Sequence, residues 1–422
     1  MKKLILPFVV FFFLWSCTKD EPIPVDPKLK PSINSVLADN ITADGARLTA
    51  MIVPNGKDVI VTIEYSEDGV NWTRVALEEK FNGDVITRAS KSISGLKFST
   101  LYSYRFSVAN TNGVIGSDPA TFTTLKPLKS AAAIRPVEAI RINEACLTAM
   151  LIPRFDNTTA AFEYSADKAN WQSVVLPDKF SGNDSIRVKT TLSGLIANTI
   201  YSYRLRVSNI AGDTISATGS FKTYAFKDYD GNYYHTVTIG TQTWMQEDLK
   251  ATHYLNGDPI PNLTDTAAWL HSTSGAYVYY NNDAKMGEVY GCLYNWYAGA
   301  DSRGLIAGYH VPSGDEWVTL ANFVGSNYSG LALREAGGSH WKIPNGNNSS
   351  GFTALPGGFC GILLSTGKFG FANLGDEADY WTSWSMGNLS VAAYMEPAKF
   401  SMLDIGTMYK KNYGFSLRLI KD

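Results

Sequence analysis

The sequence predicts a multidomain chain, two tandem all-β sandwiches followed by a mixed α+β domain. Three observations carry this. Residues 44–124 match residues 143–223 without a gap, the apolar residues inside each copy recur with a period of two, and from residue 226 the composition shifts to Gly, Trp, Tyr and Asn. Two copies are too few for a solenoid and each is long enough to fold alone, so they read as tandem modules. The 45% hydrophobic content and 18% charge describe a folded chain, and a formal net charge of −2 argues against a nucleic-acid partner, which needs clustered Lys and Arg facing the phosphates.

Residues 1–17 stand apart from the fold. Lys2 and Lys3 precede an apolar stretch from Leu4 to Leu14, about eleven residues and well short of the ~20 that span a bilayer as a helix, which is the pattern of an export signal. The stretch ends in "LWSC", which resembles a bacterial lipobox, with Leu14 and Ser16 before Cys17 and a Trp15 bulkier than the residue usual there. The resemblance implies a lipid on the Cys17 sulfur and anchorage in the outer membrane. Asp20 and Glu21 behind Lys19 resemble the signal that carries Bacteroidetes-type lipoproteins to the cell surface. Residues 18–31, with Pro22, Pro24, Pro27 and Pro31, make a semi-extended tether reaching at most about 50 Å.

The two modules occupy 32–125 and 126–225. In the first, Tyr102, Tyr104, Phe106 and Val108 alternate with Ser103, Arg105 and Ser107; in the second, Tyr201, Tyr203, Leu205 and Val207 alternate with Ser202, Arg204 and Arg206. Such alternation is a half-buried strand, and "SEDGVNW" and "NTNG" supply hairpin turns. The stretches "LKFSTLYSYRFSVANTNG" and "LIANTIYSYRLRVSNIAG" resemble the fibronectin type III pattern. That resemblance implies sandwiches acting as spacers, with Tyr102 and Tyr201 each returning a hydrogen bond to nearby backbone as a tyrosine corner.

Residues 226–422 form the third domain. Asp228, Asp230 and Asn232 have the look of calcium ligands, but no twelve-residue loop with a closing glutamate follows, so "DG" reads as a hairpin turn. In "GYHVPSGDEW", Ser313 followed three residues later by Glu316 is a capping box, and Trp317, Leu320, Ala321 and Val324 fall on one face of the helix that follows. His310 then reads as a packed or hydrogen-bonded residue rather than a base. There is no GxSxG, HExxH or CxxC, and the five histidines lack ligand spacing. Glu247, Asp248, Asp283, Glu316, Asp376 and Glu377 are the carboxylates a glycosidase would draw on, but nothing in the sequence pairs any two. No catalytic residue, metal ligand or cofactor is assigned, and the balance leans away from an enzyme.

The ordered motifs "TIGTQTWMQEDL", "GCLYNWYA", "GYHVPSGDEWVTLANFVG", "LREAGG", "SSGFTALPGGF", "YWTSW" and "YGFSLRLIKD" closely resemble the Fibrobacter succinogenes major paralogous (FISUMP) domain family. The resemblance covers 226–422 and implies a surface or secreted location with no established activity. More distantly, "HVPSGDEW" and "YGFSLRL" are similar to segments of the formylglycine-generating sulfatase-modifying family, which implies a C-type-lectin-like fold without that family's late catalytic cysteine pair. Leu305 and Leu419 stand where FISUMP members commonly carry cysteines, and the expectation from that resemblance is a hydrophobic contact in place of a covalent link.

In such a fold a polar loop beside a tryptophan is where a ligand surface is expected, which points to 340–351, with Trp341, Asn345, Asn347 and Asn348 as candidate ligand-binding residues. The wider aromatic pool is Trp269, Tyr277, Tyr279, Tyr280, Trp296, Trp341, Trp381 and Trp384, most of which a glycine-rich domain needs for its core. Of the four cysteines, Cys292 and Cys360 share the C-terminal domain and can pair in a disulfide, while Cys146 has no partner in its module. The leading function is surface recognition or adhesion, with a glycan or another extracellular polymer as partner. An enzyme acting on an extracellular glycan and a structural surface component are the alternatives.

Overall fold

In the computed structural model, which describes residues 29–155, 157–396 and 403–422, each repeat is a two-sheet β-sandwich. The expected export signal, the expected lipidation at Cys17 and most of the expected tether lie outside the described residues. In the first sandwich one sheet has the strand order Ser32–Asp39, Ala46–Val53, Thr87–Ile93. The facing sheet runs Thr73–Ala76, Gly56–Ser66, Leu101–Asn110, Gly113–Gly116, all pairs antiparallel. The second sandwich repeats both orders: Ala131–Glu138, Glu144–Ile152, Ile186–Ser193 against Gln172–Val175, Thr159–Ser165, Ile200–Asn209, Gly212–Ile215. Three strands facing a larger sheet built on this four-strand path, joined in the first copy by Phe81–Gly83 and Ala120–Thr123 and in the second by Gly219–Lys222, is the fibronectin-III-like arrangement.

The period-two pattern explains the packing. Leu48, Ala50 and Ile52 point inward against Val61, Ile63, Phe106 and Val108, and Leu147, Ala149 and Leu151 do the same against Phe162, Leu205 and Val207. Each such large side chain contributes roughly 1.5–3 kcal/mol by leaving water. Both tyrosine corners are present: the backbone N–H of Lys97 donates to the Tyr102 hydroxyl and that of Ile196 to the Tyr201 hydroxyl, each at 3.0 Å. The hairpin "SEDGVNW" is stapled by Asp68, which accepts from the N–H groups of Val70 and Asn71; those bonds hold its carboxyl well below the usual carboxylate range. Asp167 does the same for Ala169 and Asn170.

The described chain divides into two compact units, one ending at Lys129 and one running Ser130–Asp422. The second sandwich and the C-terminal domain therefore belong to the same unit. In the C-terminal domain the short closing strand Ile420–Lys421 lies between Gln242–Met245 and Tyr309–His310, which ties the end of the chain to the domain's beginning. A separate antiparallel sheet comprises Ala378–Met386, Leu389–Met395 and Leu403–Lys410. Aromatic rings fill the space between. Trp244, Trp317, Phe352 and Tyr380 form one cluster, and Tyr294, Trp381 and Phe415 anchor another that also holds Leu305 and Leu419.

The helix predicted after "HVPS" spans Gly314–Val324. Its capping box is complete: the Glu316 N–H donates to Ser313 Oγ at 3.3 Å and the Ser313 N–H donates to Glu316 Oε2 at 2.7 Å. Trp317, Leu320 and Ala321 are buried and Val324 packs partly against them, as the spacing predicts. The expected disulfide is not formed. Cys292 and Cys360 are both buried free thiols in different core clusters, Cys292 beside Tyr294 and Met245, and Cys360 beside Trp269 and Leu293. Burial pushes the Cys292 thiol up to about 12, so it behaves as a small apolar side chain. Cys146 is half-buried and also free.

Candidate functional site

The stretch "GYHVPSGDEW" forms a hydrogen-bonded brace. His310 Nδ1 lies 2.7 Å from Asp422 Oδ1 and its Nε2 lies 3.0 Å from Glu316 Oε1. Burial disfavours the imidazolium, but the two carboxylates outweigh it and raise the His310 pKa. The same contacts, with the Ser313 N–H, overcome burial and lower that of Glu316. Helix cap, histidine and closing strand are thereby locked together.

Other carboxylates on the glycosidase roster are also engaged. Asp248 takes two bonds on its Oδ1 from Arg418, Nε at 2.8 Å and Nη2 at 2.5 Å, in a pair removed from solvent. Burial pushes the Asp248 carboxyl above the usual carboxylate range although Arg418 favours its ionised form. Such a pair fixes which segments meet more than it adds stability: here it joins "MQEDL" to "FSLRL", and Arg418 Nη1 also donates to the Phe352 carbonyl. Asp283 caps the Ala284–Tyr290 helix, and Asp376 pairs with Lys342. Asp228 closes the predicted hairpin turn by accepting from the Asn232 N–H and the Tyr234 hydroxyl. Among the described residues no group of three or more His, Cys, Asp or Glu is arranged to hold a metal ion.

The 340–351 loop corrects the sequence reading. Trp341 is only 2% exposed, packed in the Trp317 cluster with its indole N–H donating to the Ala354 carbonyl at 3.0 Å, so its ring offers no face to a ligand. The loop folds inward because its backbone N–H groups bond to the helix beside it, Asn347 to the Leu331 carbonyl and Ser350 to that of Ala332. Asn348 is spent on Thr353, accepting from its N–H and donating to its hydroxyl, and Asn347 accepts from Ser349. Asn345 is exposed, with its N–H turned back to the Ile343 carbonyl. These residues shape a loop and do not converge on a site.

Of the aromatic pool, Trp384 is the member with an open ring, 43% exposed at the end of Ala378–Met386. Met386 and Met408 are exposed on the same sheet, where Met386 pairs with Leu389 and Met408 with Val391. Beside this hairpin Trp296 donates to the Thr382 carbonyl at 3.0 Å, and the Lys411 ammonium sits 3.9 Å over its ring. Trp384, Met386 and Met408 are thus exposed side chains of one three-stranded sheet, termed below the Trp384 rim.

A second feature lies where the second sandwich meets the C-terminal domain. Asn198 and Thr236 exchange two bonds, Asn198 Nδ2 to the Thr236 carbonyl at 3.1 Å and the Thr236 N–H to Asn198 Oδ1 at 3.0 Å. Lys222 Nζ donates to the Thr236 carbonyl at 3.0 Å and to Gln246 Oε1 at 2.7 Å, and the Tyr224 ring packs 4.3 Å from that of His235. Next to this joint is a crevice of about 310 Å³ lined by Lys222, His235, Gln246, Glu247, Asp248, Val289, Thr353 and Leu355. Glu247 receives the His235 N–H at 2.8 Å and lies 2.6 Å from its Nδ1. Burial lowers the Lys222 pKa against the pull of Glu247. Sequence reasoning missed Lys222, His235 and Glu247 as a group. The signal was there: the paired copies differ at Ser99/Asn198, Thr123/Lys222 and Leu125/Tyr224, all at the end where the second copy meets the next domain.

Residues 237–421 match the family model of the Fibrobacter succinogenes major domain. The C-terminal domain is a Fibrobacter succinogenes major domain. No curated protein matches the chain. Among solved structures, the chicken CNTN1 FN1–FN3 domains are similar at 18% identity and a TM-score of 0.20, over 45% of this chain and 66% of that one. The sensor domain of the anti-sigma factor RsgI4 of Pseudobacteroides cellulosolvens is similar at 18% identity and a TM-score of 0.20, over 24% of this chain and 98% of that one. The assignment of the sandwiches rests on their own strand order. Both the Trp384 rim and the C-terminal side of the crevice belong to the Fibrobacter succinogenes major domain.

Proposed function

We propose that this chain is a cell-surface lipoprotein, held in the outer membrane through Cys17, that presents a lectin-like C-terminal domain for recognition of or adhesion to a glycan or another extracellular polymer. The observation that carries the reading is the Trp384 rim. An exposed indole at a sheet end, with Met386 and Met408 exposed on the same sheet, is an apolar platform of the kind that stacks on the C–H face of a sugar ring. Support also comes from the carboxylates, since Glu247, Asp248, Asp283, Glu316 and Asp376 each hold a structural partner. The sandwiches and proline tether would set the platform away from the membrane. The test is retention of the full chain on immobilised polysaccharides with Trp384→Ala as the variant. Binding that falls about tenfold or more with an unchanged melting temperature supports the reading; undiminished retention would remove the rim from it.

A further inference from the structure

The crevice at the joint has the chemistry of a site rather than of a plain seam. Lys222 carries three N–H donors and spends two on Thr236 and Gln246. Glu247 uses one lone pair on each oxygen for His235, which leaves acceptor capacity on both. The lining also includes the aliphatic side chains of Val289 and Leu355. A donor and an acceptor in a crevice with aliphatic lining suit a group that is donor and acceptor at once, namely a hydroxyl on a carbon ring.

Charge narrows the ligand further. An anion would meet the Glu247 carboxylate and a cation the Lys222 ammonium, while Asp248 is already neutralised by Arg418. The volume of about 310 Å³ is at the lower end of small-ligand pockets and admits roughly one ring with its substituents. The repeat supplies an independent argument, because the first sandwich has Thr123 where Lys222 stands, so the lysine is not something a sandwich of this kind needs for folding.

We propose that the crevice binds a single neutral sugar ring, with Lys222 donating to and Glu247 accepting from its hydroxyls and Val289 and Leu355 against its C–H face. The site is bipartite: the Fibrobacter succinogenes major domain supplies the acceptor and the aliphatic lining, and the second sandwich supplies the donor. The choice of ligand class rests on the glycan reading, but the crevice shares no residue with the Trp384 rim, so the two fail separately.

The experiment titrates the full chain with the methyl glycosides of glucose, galactose, mannose and N-acetylglucosamine, following the His235 imidazole C–H signal by NMR. The expected result is saturable movement of that signal with at least one glycoside. Val289→Trp, which fills the crevice from an exposed helix position, should weaken binding about tenfold or more without lowering the melting temperature. Failure of all four glycosides to move the signal, or an affinity untouched by Val289→Trp, overturns the proposal. Polysaccharide retention that Trp384→Ala abolishes while the His235 signal stays still would uphold the rim and sink the crevice.

Discussion

Where the first sandwich has Ser99, Thr123 and Leu125, the second has Asn198, Lys222 and Tyr224, on a backbone that makes the same hydrogen bonds. The Ser99 N–H donates to the Leu125 carbonyl and the Asn198 N–H to that of Tyr224; the Leu125 N–H reaches the Thr42 carbonyl and the Tyr224 N–H that of Arg141. Even the left-handed φ is kept, 49° at Ser99 and 51° at Asn198, which suits asparagine better than most side chains. Staples elsewhere are duplicated too. Arg105 lies 4.2 Å over Trp72 and bonds Glu64 at 2.6 Å, while Arg204 lies 4.0 Å over Trp171 and bonds Glu163 at 2.6 Å. Two copies of one frame thus differ where the second touches the next domain. In the first copy Leu125 is 55% exposed, whereas Tyr224 packs on His235 and Tyr233. The second sandwich is thus a base specialised for the C-terminal domain, not an interchangeable spacer.

The greatest loss of stability is predicted at the buried Asp248–Arg418 pair of the C-terminal domain. Arg418→Met leaves Asp248 buried without its cation, a loss of about 3–5 kcal/mol. By calorimetry, the transition of the unit Ser130–Asp422 should fall and take the second sandwich with it, while that of the first sandwich stays in place. A second sandwich whose melting is untouched would break the coupling.

Smaller and symmetric effects are expected at the tyrosine corners. Tyr102→Phe and Tyr201→Phe each strand one backbone N–H, costing about 1–3 kcal/mol. Chemical denaturation should show similar losses in the two copies, since both hydroxyls accept at the same distance. A loss confined to one copy would mean the frames are less alike than their geometry.

The smallest effect is electrostatic and belongs to the C-terminal domain alone. Because the folded state raises the His310 pKa, its contribution is fully present below the ordinary imidazole value and is lost as pH rises through the raised value. Glu316, whose pKa is lowered, keeps its charge throughout that window. The melting-temperature advantage of wild type over His310→Gln should therefore be largest below the ordinary imidazole value and shrink as pH rises through the raised one. An advantage that grows with pH would contradict the brace.

Much of the fold was legible because its determinants are local. The repeat and its period of two place the strands, and Ser313 with Glu316 places the helix start. Contacts between distant segments were not. Nothing near His310 announces Asp422, and nothing near Asp248 announces Arg418, because those partners meet only after the closing strand has docked. Trp341 misled for the same reason: a tryptophan beside polar residues looks exposed in a linear reading, yet the loop's bonds to Leu331 and Ala332 turn it inward. Cys292 and Cys360 share a domain but not a cluster, which sequence spacing does not encode. The joint was legible in principle through Asn198, Lys222 and Tyr224, three of the many positions where the copies differ.

The most direct test of the specialised base gives the second sandwich the side chains of the first, as the triple variant Asn198→Ser, Lys222→Thr and Tyr224→Leu. Calorimetry of the wild type should show two transitions, one for the first sandwich and one shared by the second sandwich and the C-terminal domain. In the variant the shared transition should split, giving three. A variant that keeps the shared transition intact, or a wild type that already melts in three steps, would contradict the account.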